Sequence, residues 1–262
     1  MKKIINASLP ISVILPPRPG RFVYFCPHLA DTINMTGIIT IFDRELEALK
    51  DYSLVEDIKK FAGRKYFIGK LNEQEIVFAQ ADNRPLDLAL TTQIMINKFP
   101  IKRIFFTGQA IILAPYIEKG DIVIANYFIR PSEKENTSNQ MFEADQILLQ
   151  TLRTVCDIPR SDRPPHLFGT LLRWSEKEID HPRLRMLQQE FGAIAIDNSG
   201  TALAYTCGIN NIPFAAIDIA MAIADDGGPI SEERLNRACQ ETFELKGLAL
   251  VELTVSAITA HI

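Results

Sequence analysis

Cysteine is scarce and scattered: Cys26, Cys156, Cys207 and Cys239 form no C-x-x-C pair in a chain of 262 residues. That spacing excludes a disulfide framework and reads as reduced, mostly buried thiols of a cytoplasmic protein. The four histidines share no ligand spacing with one another or with the cysteines, so neither a metal centre nor a cofactor is expected. No apolar run approaches the ~18 residues of a membrane helix, and no membrane partner is expected. Pro10, Pro16 and Pro17 break the apolar run behind the two N-terminal lysines, which argues against a secretory signal. Positive charge is not in excess: the net charge of −4 gives no basis for nucleic-acid binding. P-loop, G-x-G-x-x-G and G-x-S-x-G patterns are missing as well.

What the chain does have is an ordinary globular balance, 47% hydrophobic and 23% charged, at a length that can bury one large core. Short apolar runs alternate with amphipathic segments, which predicts an α/β fold. The stretch from Phe191 to Asp225 organises it. Ala193–Ile196 and Phe214–Ile219 are apolar on successive residues and read as buried parallel strands, joined through a helix over Thr201–Gly208 that closes at the Asn210–Asn211 turn. Such crossover units place ligands at the carboxyl ends of their strands, here Asp197–Gly200 and Ala220–Asp225.

Other elements are legible in the same way. Gly37–Ile41 reads as a strand and the following FDRELEALKDY as an amphipathic helix with Leu46 and Leu49 on one face. Lys65–Gly69 and Glu75–Gln80 predict a hairpin around Asn72-Glu73. Pro85 leads in a helix over Leu86–Phe99, and Arg103–Thr107 is a buried strand. The polar RPSEKENTSNQ string reads as a solvated loop, Ala144–Val155 as a helix, and Asp157–Pro165 as a linker. His166–Leu172 predicts a further strand, Leu184–Phe191 ends a helix, and Ser231 caps a long terminal helix starting at Glu232.

Several strings together resemble the purine nucleoside phosphorylase superfamily, and within it most closely the 5′-methylthioadenosine/S-adenosylhomocysteine nucleosidases. Ala195-Ile196-Asp197-Asn198-Ser199-Gly200-Thr201-Ala202-Leu203-Ala204 is similar to that family's A-(V/I)-(D/E)-M-E-(G/A)-A-A-(I/V)-A. Ile212-Pro213-Phe214 and the run from Ile217 to Asp225 resemble its V-P-(F/V)-x-x-(I/V)-R-x-(I/V)-S-D-x-A-D. Gly37 to Leu46 resembles the opening G-(I/V)-I-G-A-M-x-x-E-(V/L), and Thr107 to Ile112 the T-G-x-A-G-G element. Gly120 to Ala125 keeps a scaffold run, and Ala81 to Pro85 stands where the family has S-G-(I/V)-G-K.

The resemblance implies a three-layer α/β/α domain over residues 36–262 with a central mixed sheet, preceded by an N-terminal extension over residues 1–35. It also implies a homodimer and purine N-glycosidic bond hydrolysis. Glu45 falls on the family's catalytic glutamate, which activates the attacking water; without the resemblance it is an acid favoured in a first helical turn. The reactive letters elsewhere have changed. Ser199 stands at the ribose-binding glutamate, Asn198 at the methionine, Asp218 at the arginine, and Met221-Ala222 at the S-D pair that carries the proton donor. The substrate-binding candidates are therefore Gln109, Ala110, Trp174, Asn198, Ser199, Asp218 and Met221. Trp174 offers a ring near the family's purine-stacking phenylalanine, or simply packs.

Glycoside cleavage needs one group to activate water and another to protonate the leaving base. A positioned general acid contributes about 10²–10⁴-fold, so Ala222 at that position predicts an impaired or inactive enzyme. Two readings follow. One is a diverged nucleosidase acting on a small-molecule nucleoside; the other is a non-catalytic relative that binds a ligand or a protein through the remodelled cleft. Asp218, an acid in an apolar strand, is expected to find a salt bridge or a hydrogen bond to a turn.

Overall fold

The computed structural model describes residues 34–132, 138–160, 163–173, 181–221, 237–238, 241–242 and 248–260. Residues 1–33 of the N-terminal extension, Trp174, Ala222 and the expected cap at Ser231 lie outside the described residues, as does the side chain of Asn198. In chain order the described elements begin with β1 (Met35–Thr40), α1 (Asp43–Tyr52), β2 (Leu54–Phe61), β3 (Arg64–Leu71), β4 (Gln74–Gln80), α2 (Pro85–Lys98) and β5 (Ile101–Ile112). They continue with β6 (Ile122–Arg130), β7 (Gln140–Glu143), α3 (Gln146–Cys156), β8 (His166–Leu172) and α4 (His181–Phe191). The last are β9 (Ala195–Ile196), α5 (Asn198–Asn210), β10 (Phe214–Met221) and α6 (Leu248–Thr259). The ten strands make one mixed sheet, as expected for this α/β class.

Strand β5 is the hub. Its twelve residues pair with β1 and β10 in parallel and, through Ile111 and Ile112, with β9 in antiparallel. From β10 the pairing runs to β6, then β8, then β9 and back to β5, which closes a five-stranded ring. On the other side of β5 the sheet continues through β1, β4, β3 and β2. Every residue of β1 and of β10 is buried, because both faces of these strands are covered. Helices α1 and α3 pack on α6, and α2 packs on α5.

This ring corrects one expectation. The strands flanking α5 do not run parallel: β9 is antiparallel to β5 whereas β10 is parallel to it. Curling the sheet onto the end of a long central strand lets a two-residue strand join it in the opposite sense. Helix α5 also starts three residues before Thr201, because the Asp197 carboxylate caps it by accepting from the backbone N–H groups of Ser199 and Gly200. It ends at Asn211, whose left-handed φ of 54° closes the last turn. The predicted hairpin forms as β3 and β4, with Asn72 at φ 51° in its turn. Strand β2, by contrast, is exposed along most of its length and shows no apolar alternation.

Candidate functional site

Glu45 occupies the first turn of α1, directly after the end of β1. The Thr40 hydroxyl at the end of β1 and the Thr107 hydroxyl on β5 both donate to its Oε2, the latter at 2.8 Å. The Phe42 backbone N–H donates to Thr40 Oγ1 at 3.3 Å, so a short network fixes the helix start to two strands. Glu45 is fully buried, and its Oε1 has no hydrogen-bond partner. Burial raises its pKa to about 8; the Thr107 hydroxyl and the Phe42 backbone N–H pull the other way without offsetting it.

Two more acids share this region. Asp197 is spent on the cap of α5: Oδ1 accepts from Ser199 N at 2.8 Å and Gly200 N at 2.9 Å, and Oδ2 from Gly200 N at 2.8 Å. Burial pushes it up to about 7, opposed by those two backbone donors. Gly200 permits this closeness, since a Cβ there would lie 1.9 Å from Asp197 Oδ2 and 2.8 Å from the Phe128 ring. Asp218, in the middle of β10, is fully buried, and neither carboxylate oxygen has a partner. The expected salt bridge or hydrogen bond is not there. Its strand neighbour on β5 is Gly108, where a Cβ would lie 2.6 Å from Asp218 Oδ1, so the carboxyl rests over bare backbone. Burial raises the Asp218 pKa well above the carboxylate range, and the charges of Asp197 and Glu45 raise it further.

The remaining candidates divide. Gln109 on β5 is buried, and its Oε1 has no partner. Ala110 is fully buried in the main core. The Ser199 hydroxyl donates to Asn83 Oδ1 at 2.6 Å, joining the start of α5 to the loop before α2. Met221 packs with Ile111, Leu113, Leu172, Leu187, Ala193 and Ile196 in a second apolar cluster. Trp174, and the Asn198 side chain, lie outside the described residues. Thr40 and Asn83 were not singled out from the sequence. Thr40 sits where the resembled pattern has glycine, and that added hydroxyl was the available signal. The Asn83–Ser199 contact joins positions 116 residues apart and left none. Among the described residues, no three His, Cys, Asp or Glu side chains are arranged to hold a metal ion, despite the three acids.

The Phosphorylase superfamily model matches residues 36–255. The 5′-methylthioadenosine/S-adenosylhomocysteine nucleosidase of Staphylococcus haemolyticus is 28% identical over 224 residues, spanning 80% of the chain and 96% of the relative. That of Staphylococcus epidermidis is 24% identical over 230 residues, spanning 84% and 100%. Among solved structures, futalosine hydrolase of Helicobacter pylori superposes with a TM-score of 0.74 at 18% identity, covering 87% of the chain and 98% of that structure. The Helicobacter pylori 5′-methylthioadenosine/S-adenosylhomocysteine nucleosidase, complexed with a substituted pyrrolidin-3-ol, gives 0.74 at 17% identity over 88% and 100%. On the match that spans residues 36–255, the chain belongs to the phosphorylase superfamily.

Proposed function

We propose that this chain is a diverged nucleosidase that holds a nucleoside-like small molecule at the strand ends and cleaves its N-glycosidic bond poorly or not at all. The observation that carries this reading is the state of Glu45. Activating water requires an ionised carboxylate, yet a carboxyl with a pKa of about 8 is only about a tenth ionised at pH 7. Thr40 and Thr107 already occupy its Oε2, and the burial that raises the pKa also shuts out solvent. Ser199 cannot replace a ribose-holding carboxylate while its hydroxyl is given to Asn83. The apolar packing of Met221 on Ile111 bears on cleavage alone, because it sets hydrocarbon beside the end of β10, where the resembled pattern has a polar pair.

The nucleosidase relatives supply the substrates to test. Purified protein is incubated at neutral pH with 5′-methylthioadenosine, S-adenosylhomocysteine, adenosine and inosine, with Glu45→Gln as the control. Free base released slowly, or no faster than from the variant, is the expected result; rapid multiple-turnover release that the substitution abolishes would overturn the reading.

We also propose a homodimer. Leu86 and Leu90 on α2, Tyr205 and Ile209 on α5, and Met141 on β7 are exposed apolar residues, and α2 and α5 are joined through Gln93 and Asn210. A cytoplasmic location is supported by the free buried thiols of Cys156 and Cys207. No helix among the described residues is long and apolar enough to cross a membrane.

A further inference from the structure

Four buried oxygen atoms in this region lack a hydrogen-bond partner: Glu45 Oε1, Gln109 Oε1, and both carboxylate oxygens of Asp218. Buried polar atoms without partners are rare in folded proteins, and each one costs about 1–3 kcal/mol. These four come from Glu45, to which Thr107 on β5 donates, from Gln109 on β5 itself, and from Asp218, whose neighbour on β5 is Gly108, so they are not scattered defects. The charges that act on Asp218 come from Glu45, behind the end of β1, and from Asp197, at the start of α5, and both are acidic. Asp218 itself stands where the resembled pattern carries arginine, so the sign of the side chain at that position is reversed. The missing side chain of Gly108 is what lets this carboxyl lie against β5, since a Cβ there would meet both Asp218 Oδ1 and the Phe106 ring at 2.6 Å.

We propose that Asp218 determines the specificity of the cleft and selects a nucleoside-like ligand that carries a protonated amine. The proposal rests on the reading that the strand ends hold a small molecule. An ammonium group brings three donors, no acceptor and a positive charge, which is what a set of acceptor oxygens and acidic groups lacks. A neutral hydroxyl brings one donor and no charge, and so displaces no proton from the acids. Without the amine the acids hold protons; when it binds it takes their place, and protons leave for solvent.

Calorimetric titration with adenosine, 5′-amino-5′-deoxyadenosine and 3′-amino-3′-deoxyadenosine tests this in wild type and in Asp218→Asn, which matches the neutral acid in shape. At least one amine is expected to bind about tenfold or more tightly than adenosine to wild type, and that preference is expected to vanish in the variant. Repeating the wild-type titration in buffers of different ionisation heat counts protons without relying on the variant. Net release on binding the favoured amine, and none with adenosine, is expected. Adenosine binding with no preference for either amine, or a preference that survives Asp218→Asn, overturns the proposal and leaves the cleft reading standing. No binding of any of the three overturns both.

Discussion

Replacing Glu45 by glutamine removes one titrating group while keeping the shape of a neutral carboxyl, and its effect on stability must depend on pH. The side-chain oxygen of glutamine can still accept from Thr40 and Thr107, as Glu45 Oε2 does. In the unfolded chain Glu45 titrates near its ordinary value of 4.5, and in the fold near 8. Between those values the folded protein holds a proton that the unfolded chain has released. Raising the pH therefore favours unfolding, by ~1.4 kcal/mol per pH unit. Stability from this group is fully present below pH 4.5 and is lost as pH rises through 8, a swing of ~5 kcal/mol that follows from those two values. Asp197 and Asp218 push the wild type in the same direction and both remain in the variant; because the Glu45 charge also raises Asp218, the difference between the two proteins reports Glu45 together with its coupling to Asp218. Urea unfolding of both proteins at half-unit steps from pH 5 to 9 gives that difference directly. The variant is expected to gain on wild type steadily up to about pH 8 and then level off. A difference that is flat with pH would mean that Glu45 is ionised in the fold, contrary to the proposed function.

Asp197→Ala should cost about 1–2 kcal/mol of stability by leaving the Ser199 and Gly200 N–H groups uncapped, whereas Asp197→Asn should cost much less; chemical denaturation of both separates the cap from the charge. Gly200→Ala would stabilise an ordinary helix by about 1 kcal/mol, but here the added Cβ meets Asp197 Oδ2 and Phe128, so thermal unfolding should show a lowered midpoint. Asp87 accepts from Arg64 and from the Asp82 backbone N–H, and these hold its pKa down even though burial acts against them. Asp87→Asn should lower stability at neutral pH by about 1 kcal/mol, and the loss should shrink in acid as the wild-type carboxylate is protonated.

Much of the fold could be read from local pattern. Leu49 behind the buried strand at β1, Pro85 at the start of α2 and the Asn72-Glu73 turn each express a short-range preference that tertiary packing leaves intact. What pattern could not give was closure of the sheet. The two residues of β9 pair with the far end of β5, and nothing in Ala195–Ile196 specifies the sense of that pairing. Strand β2 was missed for a related reason: Leu54–Phe61 is exposed and charged, and it is a strand because β3 offers it hydrogen bonds. The sequence singles out Glu45 and Asp218, but an acid in an apolar strand is expected to have a partner, and Asp218 has none among the described residues. The contacts that define the local chemistry, Thr107 with Glu45 and Asn83 with Ser199, span 62 and 116 residues and exist only once the chain has folded.

The proposed function requires Glu45 to be held as a neutral acid. Infrared difference spectroscopy of wild type against Glu45→Gln at pH 7 observes that proton directly. A carbonyl band of a protonated carboxylic acid, present in wild type, missing from the variant and lost as the pH passes about 8, is expected. A difference spectrum at pH 7 showing only carboxylate bands would contradict it.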